Sequence, residues 1–139
     1  MAHIIFSTSD APVAHEATES TPYLFFSNRH AVYRKSLLAD QLYDPYEKVV
    51  SLGERVRKLD FYAGAETTSL FALTEAGNVY RLTDVAAEEV DGGPEVNLVE
   101  VPFEGVVDLA VNWLDEALIV VWRKGGKSGI AQCAFGNGA

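Results

Sequence analysis

The stretch "SLFALTEAGNVYRLTDV", residues 69–85, decides the fold because its pattern is that of a β-hairpin. An apolar run at 70–73 leads to a polar turn at 75–78, and a second apolar run begins at Val79. The stretch "YLFFSNRHAVYRKSLL", residues 23–38, has the same form. Residues 24–25 match residues 70–71 after 46 positions, and residues 32–34 match residues 79–81 after 47 positions. The hairpin is therefore predicted to be a repeated unit.

A third, looser copy is "ALIVVWRKGGKSGIAQCAF", residues 117–135, with a turn predicted over 123–129 and a second strand from Ile130. A further apolar strand precedes the second and third hairpins and places Leu59 and Leu109 at matching positions, 50 residues apart. Fourth strands are predicted at 46–52 and 95–103. Four short strands repeated every 40 to 50 residues are typical of β-propeller blades.

One segment also fits a helix. Residues 31–43, "AVYRKSLLADQLY", are the best helical candidate, but the strand pattern that leads into them favours β-structure. The sequence thus predicts an all-β protein of antiparallel four-stranded blades.

The repeats resemble the class B repeats of the low-density lipoprotein receptor, the YWTD β-propeller. "VVDLAVNWLDEALIVVW" (106–122) is similar to the family's inner strand and the YWTD strand that follows it. "VRKLDFYAGAETTSLFALTEAGNVYRLTD" (56–84) is similar to those two strands and the strand after them. The family's inter-blade Asp corresponds here to Asn28, Thr74 and Arg123.

The resemblance implies a six-bladed ring, of which this chain supplies about half. We expect an N-terminal extension with a short strand at 1–21, three blades at 22–53, 54–103 and 104–136, and a tail at 137–139. A half-ring would expose apolar faces, so the chain is expected to be a fragment of a larger receptor, or to form a homo-oligomer if the half-ring closes on itself.

Composition narrows the function classes. The chain has 139 residues, 48% hydrophobic and 22% charged, which is typical of one globular domain. Its net charge of −9 argues against a nucleic-acid partner, whose phosphates require clustered Lys and Arg. No apolar run reaches the roughly 20 residues that span a bilayer, and the N-terminus does not have the pattern of a signal peptide. The single Cys133 is expected to be a buried, inert thiol.

Two groups of residues are the candidate binding sites. Asn28, Arg29 and His30 lie in the first predicted turn, and Trp122 and Arg123 lie where a predicted strand meets a loop. Propeller partners usually bind the loop-lined faces, and aromatic and Arg side chains often anchor interfaces.

Motifs for chemistry are weak. "RKGGKSG" lacks the first glycine of a phosphate loop, because Val121 stands at that position. "TDVAAEEVDGG" lacks the spacing of a calcium loop. The sequence therefore predicts no catalytic residues, no metal and no cofactor.

Taken together, these observations and the resemblance predict a non-catalytic protein-binding module. It would be part of the extracellular propeller of a lipoprotein-receptor-like plasma-membrane protein, and would bind a protein ligand or a neighbouring module. The alternatives are an ectodomain piece of a sevenless-like receptor tyrosine kinase, a lipid- or sugar-binding propeller, and a metal-dependent lactonase-type enzyme. Glu54 and Glu104, at matching positions, favour the enzyme.

Overall fold

In a computed structural model, the chain forms three antiparallel β-sheets, which confirms the all-β prediction. The structure describes residues 3–7, 23–63, 68–83, 85 and 95–134. These residues contain eleven strands and one 3-10 helix, and no α-helix. No helix in this part of the chain is long and apolar enough to cross a membrane.

Sheet 1 contains four strands in chain order, joined as a meander. They are β1 (His3–Ser7), β2 (Tyr23–Asn28), β3 (Ala31–Ser36) and β4 (Glu47–Ser51). The strand predicted in the N-terminal extension pairs with β2 along its whole length, so it belongs to this sheet. The helical alternative for 31–43 is wrong, because β3 is followed only by the 3-10 helix Ala39–Gln41.

Sheet 2 repeats this arrangement with β5 (Val56–Ala63), β6 (Thr68–Thr74), β7 (Val79–Thr83) and β8 (Glu95–Val99). The register confirms the sequence repeat. Phe25 pairs with Arg34 in sheet 1, and Phe71 pairs with Arg81 at the matching place in sheet 2. Both predicted fourth strands form: β4 covers most of the predicted 46–52, whereas β8 covers only 95–99 of the predicted 95–103.

Sheet 3 has three described strands, β9 (Val106–Asn112), β10 (Ala117–Lys124) and β11 (Lys127–Ala134), in the order β11-β10-β9. The turn predicted over 123–129 is wrong in extent, since only Gly125 and Gly126 separate the strands. Both have positive φ, 59° and 79°. Two-residue hairpin loops of this kind need positive φ at both positions, which glycine adopts without steric cost.

The core lies between the sheets. Between sheets 1 and 2, side chains that include Phe25, Val32, Leu59 and Leu70 form one buried cluster. Between sheets 2 and 3, a second cluster includes Phe71, Leu73, Val79, Leu109 and Leu118. Sheet 2 is therefore apolar on both faces, which explains why β6 is buried at six of its seven positions.

The first strand of each sheet contacts the first strand of the next: β5 contacts both β1 and β9. Polar contacts join β5 to β9. Asp60 Oδ2 accepts a hydrogen bond from the Val111 amide at 2.9 Å, and Lys58 Nζ lies 2.7 Å from Asp108 Oδ1. The Trp113 indole nitrogen donates to the Phe61 carbonyl oxygen at 3.1 Å. The edge of β9 that faces away from β10 thus makes its polar contacts with sheet 2.

Candidate binding surface

The hairpin turns and the connections between sheets lie at one edge of the molecule. The reason is that the three sheets are meanders whose first strands all begin at that edge. We call this the hairpin edge and define it as residues 28–30, 52–55, 75–78, 100–105 and 123–126. Backbone hydrogen bonds tie turns to connections. The amides of Val56 and Glu75 donate to the carbonyl oxygens of Arg29 and Arg55, at 2.7 and 2.8 Å. The turns are therefore held in fixed positions.

The first predicted group, Asn28, Arg29 and His30, lies at this edge in sheet 1 and is exposed to solvent. Arg29 has φ of 59°, which brings the backbone around the tight turn. The His30 carbonyl oxygen accepts from the Leu52 amide at 2.8 Å, and its Nδ1 lies 3.3 Å from the Ser51 hydroxyl. The backbone of this group is fixed while the Arg29 side chain faces water.

The two residues of the second predicted group, Trp122 and Arg123, differ in their exposure to solvent. Arg123 is exposed, and its amide donates to the Gly105 carbonyl oxygen at 2.9 Å. The Trp122 ring is stacked on Phe103, with centroids 5.8 Å apart and planes 3° apart. It also lies so close to Gly129 that a side chain there would overlap the indole. Trp122 is therefore half-buried against Phe103 and Gly129, whereas Arg123 is exposed to solvent.

The two groups share an edge but lie in different sheets, sheets 1 and 3, with sheet 2 packed against both. In the described part of the chain, no hydrogen bond, ion pair or ring contact joins them directly. They are two ends of one surface.

Glu54 and Glu104 occupy matching places in the connections, and each binds its own sheet. Glu54 accepts hydrogen bonds from the hydroxyl groups of Thr74 and Tyr80, both at 2.8 Å, and from the Asn78 side-chain amide at 2.9 and 3.1 Å. These bonds, from Asn78 first and then Thr74 and Tyr80, lower the pKa of Glu54. Glu54 thus connects the start of sheet 2 to its own hairpin.

Glu104 is more exposed and makes an ion pair with Lys124, whose hydrogen bond lowers the pKa of that carboxyl. The recurrence of the two acids was visible in the sequence. Their role was not, since it depends on partners 20 to 26 residues further along the chain.

A pocket of about 710 Å³ opens at the hairpin edge between the turn of sheet 2 and the connection to sheet 3. Its lining is slightly more apolar than polar, with the apolar side chains Val79, Leu98, Val101 and Phe103 beside the polar Asn78, Glu100 and Glu104. Sequence reasoning missed this pocket because two segments, 76–79 and 98–105, form it together. The nearest signal was the turn-rich run "EAGN" at 75–78.

Other candidate chemistry is limited. Within the described residues, no group of three or more His, Cys, Asp and Glu side chains could hold a metal ion. The stretch "TDVAAEEVDGG", which lacks the spacing of a calcium loop, lies largely outside the described residues. Cys133 is a free thiol, half-buried at the edge of the second core cluster, and burial raises its pKa, which disfavours the reactive thiolate.

Comparison with known proteins adds no relative: no protein-family model, curated protein or solved structure matches the chain.

Proposed function

We propose that the chain is a non-catalytic protein-binding module, built as three consecutive blades of a partial six-bladed β-propeller. Three features support the blade arrangement. The sheets follow chain order, each is a meander, and the first strands are neighbours from sheet to sheet. Apolar clusters between sheets are what stacked blades need, since one blade cannot bury both of its faces alone.

The observation that carries the binding proposal is the pocket at the hairpin edge, with exposed turns on both sides of it. Concave, mostly apolar sites with a few polar groups are the usual places for ligands and for the anchoring side chains of protein partners. Arg29 and Arg123 are exposed on the same edge and provide charged contacts at its two ends.

The mechanism is rigid presentation. Backbone hydrogen bonds between turns and connections hold the edge in one geometry before a partner arrives. A preorganised surface loses less conformational entropy on binding, so more of the contact energy appears as affinity.

The receptor setting is part of the proposal and rests on the sequence resemblance alone. In that setting the module belongs to the extracellular part of a lipoprotein-receptor-like protein, or of a sevenless-like receptor tyrosine kinase. The partner is then a protein ligand or a neighbouring module of the same receptor.

We do not propose the lactonase-type enzyme. Glu54 and Glu104, the two acids that favoured it, are each bound within their own sheet. Both carboxylate oxygens of Glu54 accept hydrogen bonds from side chains of sheet 2, which a metal would have to displace.

The test is to select binders from a phage-displayed random-peptide library on the immobilised chain. Selected peptides are then assayed against Ala76→Trp, which fills the pocket from an exposed position, and against Leu114→Trp, an exposed site in the turn at the opposite edge. We expect binding to Leu114→Trp to match the original chain, and binding to Ala76→Trp to fall at least tenfold. Circular dichroism confirms that each variant is folded. Equal binding to both variants, or no selected peptide, would overturn the proposal.

A further inference from the structure

Among the described residues, no sheet packs on two of the sheet faces. We define the outer face of sheet 3 as Asp108, Ala110, Ile119, Val121, Ile130 and Gln132, which pair with one another across β9, β10 and β11. Asp108 is the one charged residue of these six, and its carboxylate is paired with Lys58 of sheet 2. None of these residues belongs to the core cluster between sheets 2 and 3. Ile130 is 73% exposed, although it is a large apolar side chain in the middle of a strand pair.

The sequence repeat shows that this face occupies buried positions in the other two sheets. Leu59 pairs with Ala72 and Leu109 pairs with Val120, so β10 aligns with β6 at an offset of 48. In this alignment the pair Val121–Ile130 matches Leu73–Val79 of sheet 2 and Ser27–Val32 of sheet 1. Val32 and Val79 are 0% and 1% exposed because the next sheet covers them. In the described part of the chain, no further sheet covers Ile130.

At the other end of the stacked sheets, the face of sheet 1 that points away from sheet 2 also carries apolar side chains. We define the outer face of sheet 1 as Leu24, Phe26, Tyr33, Lys35 and Tyr46. The rings of Phe26, Tyr33 and Tyr46 contact one another, with centroids 5.2 to 5.4 Å apart. These residues lie outside the core between sheets 1 and 2, and Tyr46 is 58% exposed. Exposed apolar clusters of this kind mark interaction surfaces.

The two outer faces suit each other in size and charge. One presents three large rings, and the other presents Ala110 and branched aliphatic side chains between which rings can pack. At the edge opposite the hairpins, the outer face of sheet 1 ends near Lys35, and sheet 3 ends at the exposed Asp115. The faces also continue the stacking already seen between sheets 1, 2 and 3.

We propose that a second copy of this chain covers both faces. The outer face of sheet 1 in one copy packs on the outer face of sheet 3 in the other, and a twofold axis creates the same contact twice. Three sheets from each copy then close one ring of six, which leaves no apolar face in water. This inference rests on the blade arrangement in the proposed function, but not on partner binding at the hairpin edge.

The test is the solution mass of the chain by light scattering, with circular dichroism to confirm the fold. We expect twice the mass of one chain, without growth to higher mass at rising concentration. Ile130→Arg should give a folded monomer, because it places a charge in the contact. Leu98→Arg, at an apolar residue of β8 that is 57% exposed and belongs to neither outer face, should remain a dimer. A folded monomer of the original chain, or an open-ended series of larger species, would overturn the proposal.

A mixing experiment tests the head-to-tail geometry. Tyr46→Asp is also expected to be monomeric alone. Mixed with Ile130→Arg, it should restore the dimer, since one contact is then native and the other opposes Asp to Arg. Failure of the mixture to dimerise, while each variant is folded, would contradict the closed ring. Peptide binding at the hairpin edge is measured separately, so its loss or retention does not decide this outcome.

Discussion

The contact between sheets 1 and 2 and the contact between sheets 2 and 3 are both apolar, but they bury polar groups in different ways. The first contains the guanidinium of Arg34, 0% exposed, which donates to the Val85 carbonyl oxygen at 2.7 Å and to Glu47 at 2.8 Å. It also lies 4.3 Å from the centre of the Tyr23 ring. The second contact places its polar groups at the first strands of the two sheets, β5 and β9, where Asp60 accepts a hydrogen bond from the Val111 amide. The repeated sheet thus places its polar groups at the third strand in the first contact and at the first strand in the second contact.

The largest expected effect comes from Arg34. The substitution Arg34→Met removes a charged donor and leaves the Val85 carbonyl oxygen without that partner. We therefore expect a loss of about 3 kcal/mol in the free energy of unfolding. The matched variant is Arg81→Met. Arg81 is half-buried, lies 5.6 Å from the centre of the Phe71 ring and donates to the Ser69 hydroxyl at 3.1 Å, so about 1 kcal/mol is expected. Urea denaturation measures both, and equal losses would contradict the difference between the two contacts.

The connections between sheets offer the next comparison. Gly53 and Gly105 precede the first strands of sheets 2 and 3 and have nearly equal positive φ, 75° and 76°. A Cβ at Gly53 meets open space, whereas a Cβ at Gly105 would overlap the Arg123 carbonyl oxygen. Gly53→Ala should cost about 1 kcal/mol from backbone strain alone, and Gly105→Ala about 2 to 3 kcal/mol because the connection must also move. Thermal melting of the two variants checks the order, and a greater loss for Gly53→Ala would reverse it.

Two acids of the first strands, Asp60 in β5 and Asp108 in β9, provide a smaller test. Asp60→Ala removes the acceptor of an amide in the neighbouring sheet, so we expect a loss of about 1 to 2 kcal/mol. Asp108→Ala breaks a pair with Lys58 in which the two side chains are 51% and 40% exposed, so about 0 to 1 kcal/mol is expected. Equal losses would mean that the hydrogen bond from Val111 adds nothing to the contact between the sheets.

The smallest expected effect is a pH dependence at Glu54. Its pKa in the folded chain lies below the ordinary value of 4.5, so its stabilising effect is complete above pH 4.5. It is lost as the pH falls through the lowered pKa, because the unfolded chain takes up the proton first. The melting temperature of Glu54→Gln should therefore fall less steeply between about pH 5 and pH 3 than that of the original chain. Identical slopes would show that the bonds to Asn78, Thr74 and Tyr80 do not favour the charged form.

Much of the fold followed from the sequence because apolar runs and polar turns recur at matching positions, which places strands and hairpins in each copy. The matching pairs Phe25–Arg34 and Phe71–Arg81 are direct consequences of that pattern. The third turn was predicted too long, since "RKGGKSG" is polar throughout while only Gly125 and Gly126 form the loop. A polar stretch indicates exposed residues, but it does not distinguish the exposed ends of strands from the turn between them.

The candidate site was less predictable. The exposed positions of Arg29 and Arg123 at turns followed from the pattern of strand ends, while their role in binding stays a prediction. The pocket was missed because its walls, near Gly77 and Phe103, are distant in sequence and meet only when sheet 2 packs against the connection to sheet 3. Trp122 was predicted as a binding residue at a strand end, and its role in binding stays a prediction. The sequence does not show that Phe103 stacks on its ring.

The most direct test of the stacked sheets is amide hydrogen exchange at Val111, measured by NMR. This amide faces away from β10, and its acceptor is Asp60 in the neighbouring sheet. We predict slow exchange in the original chain, and fast exchange at Val111 in Asp60→Ala while the amides between β10 and β11 stay protected. Fast exchange at Val111 in the original chain, with β10 and β11 protected, would contradict the packing of sheet 3 on sheet 2.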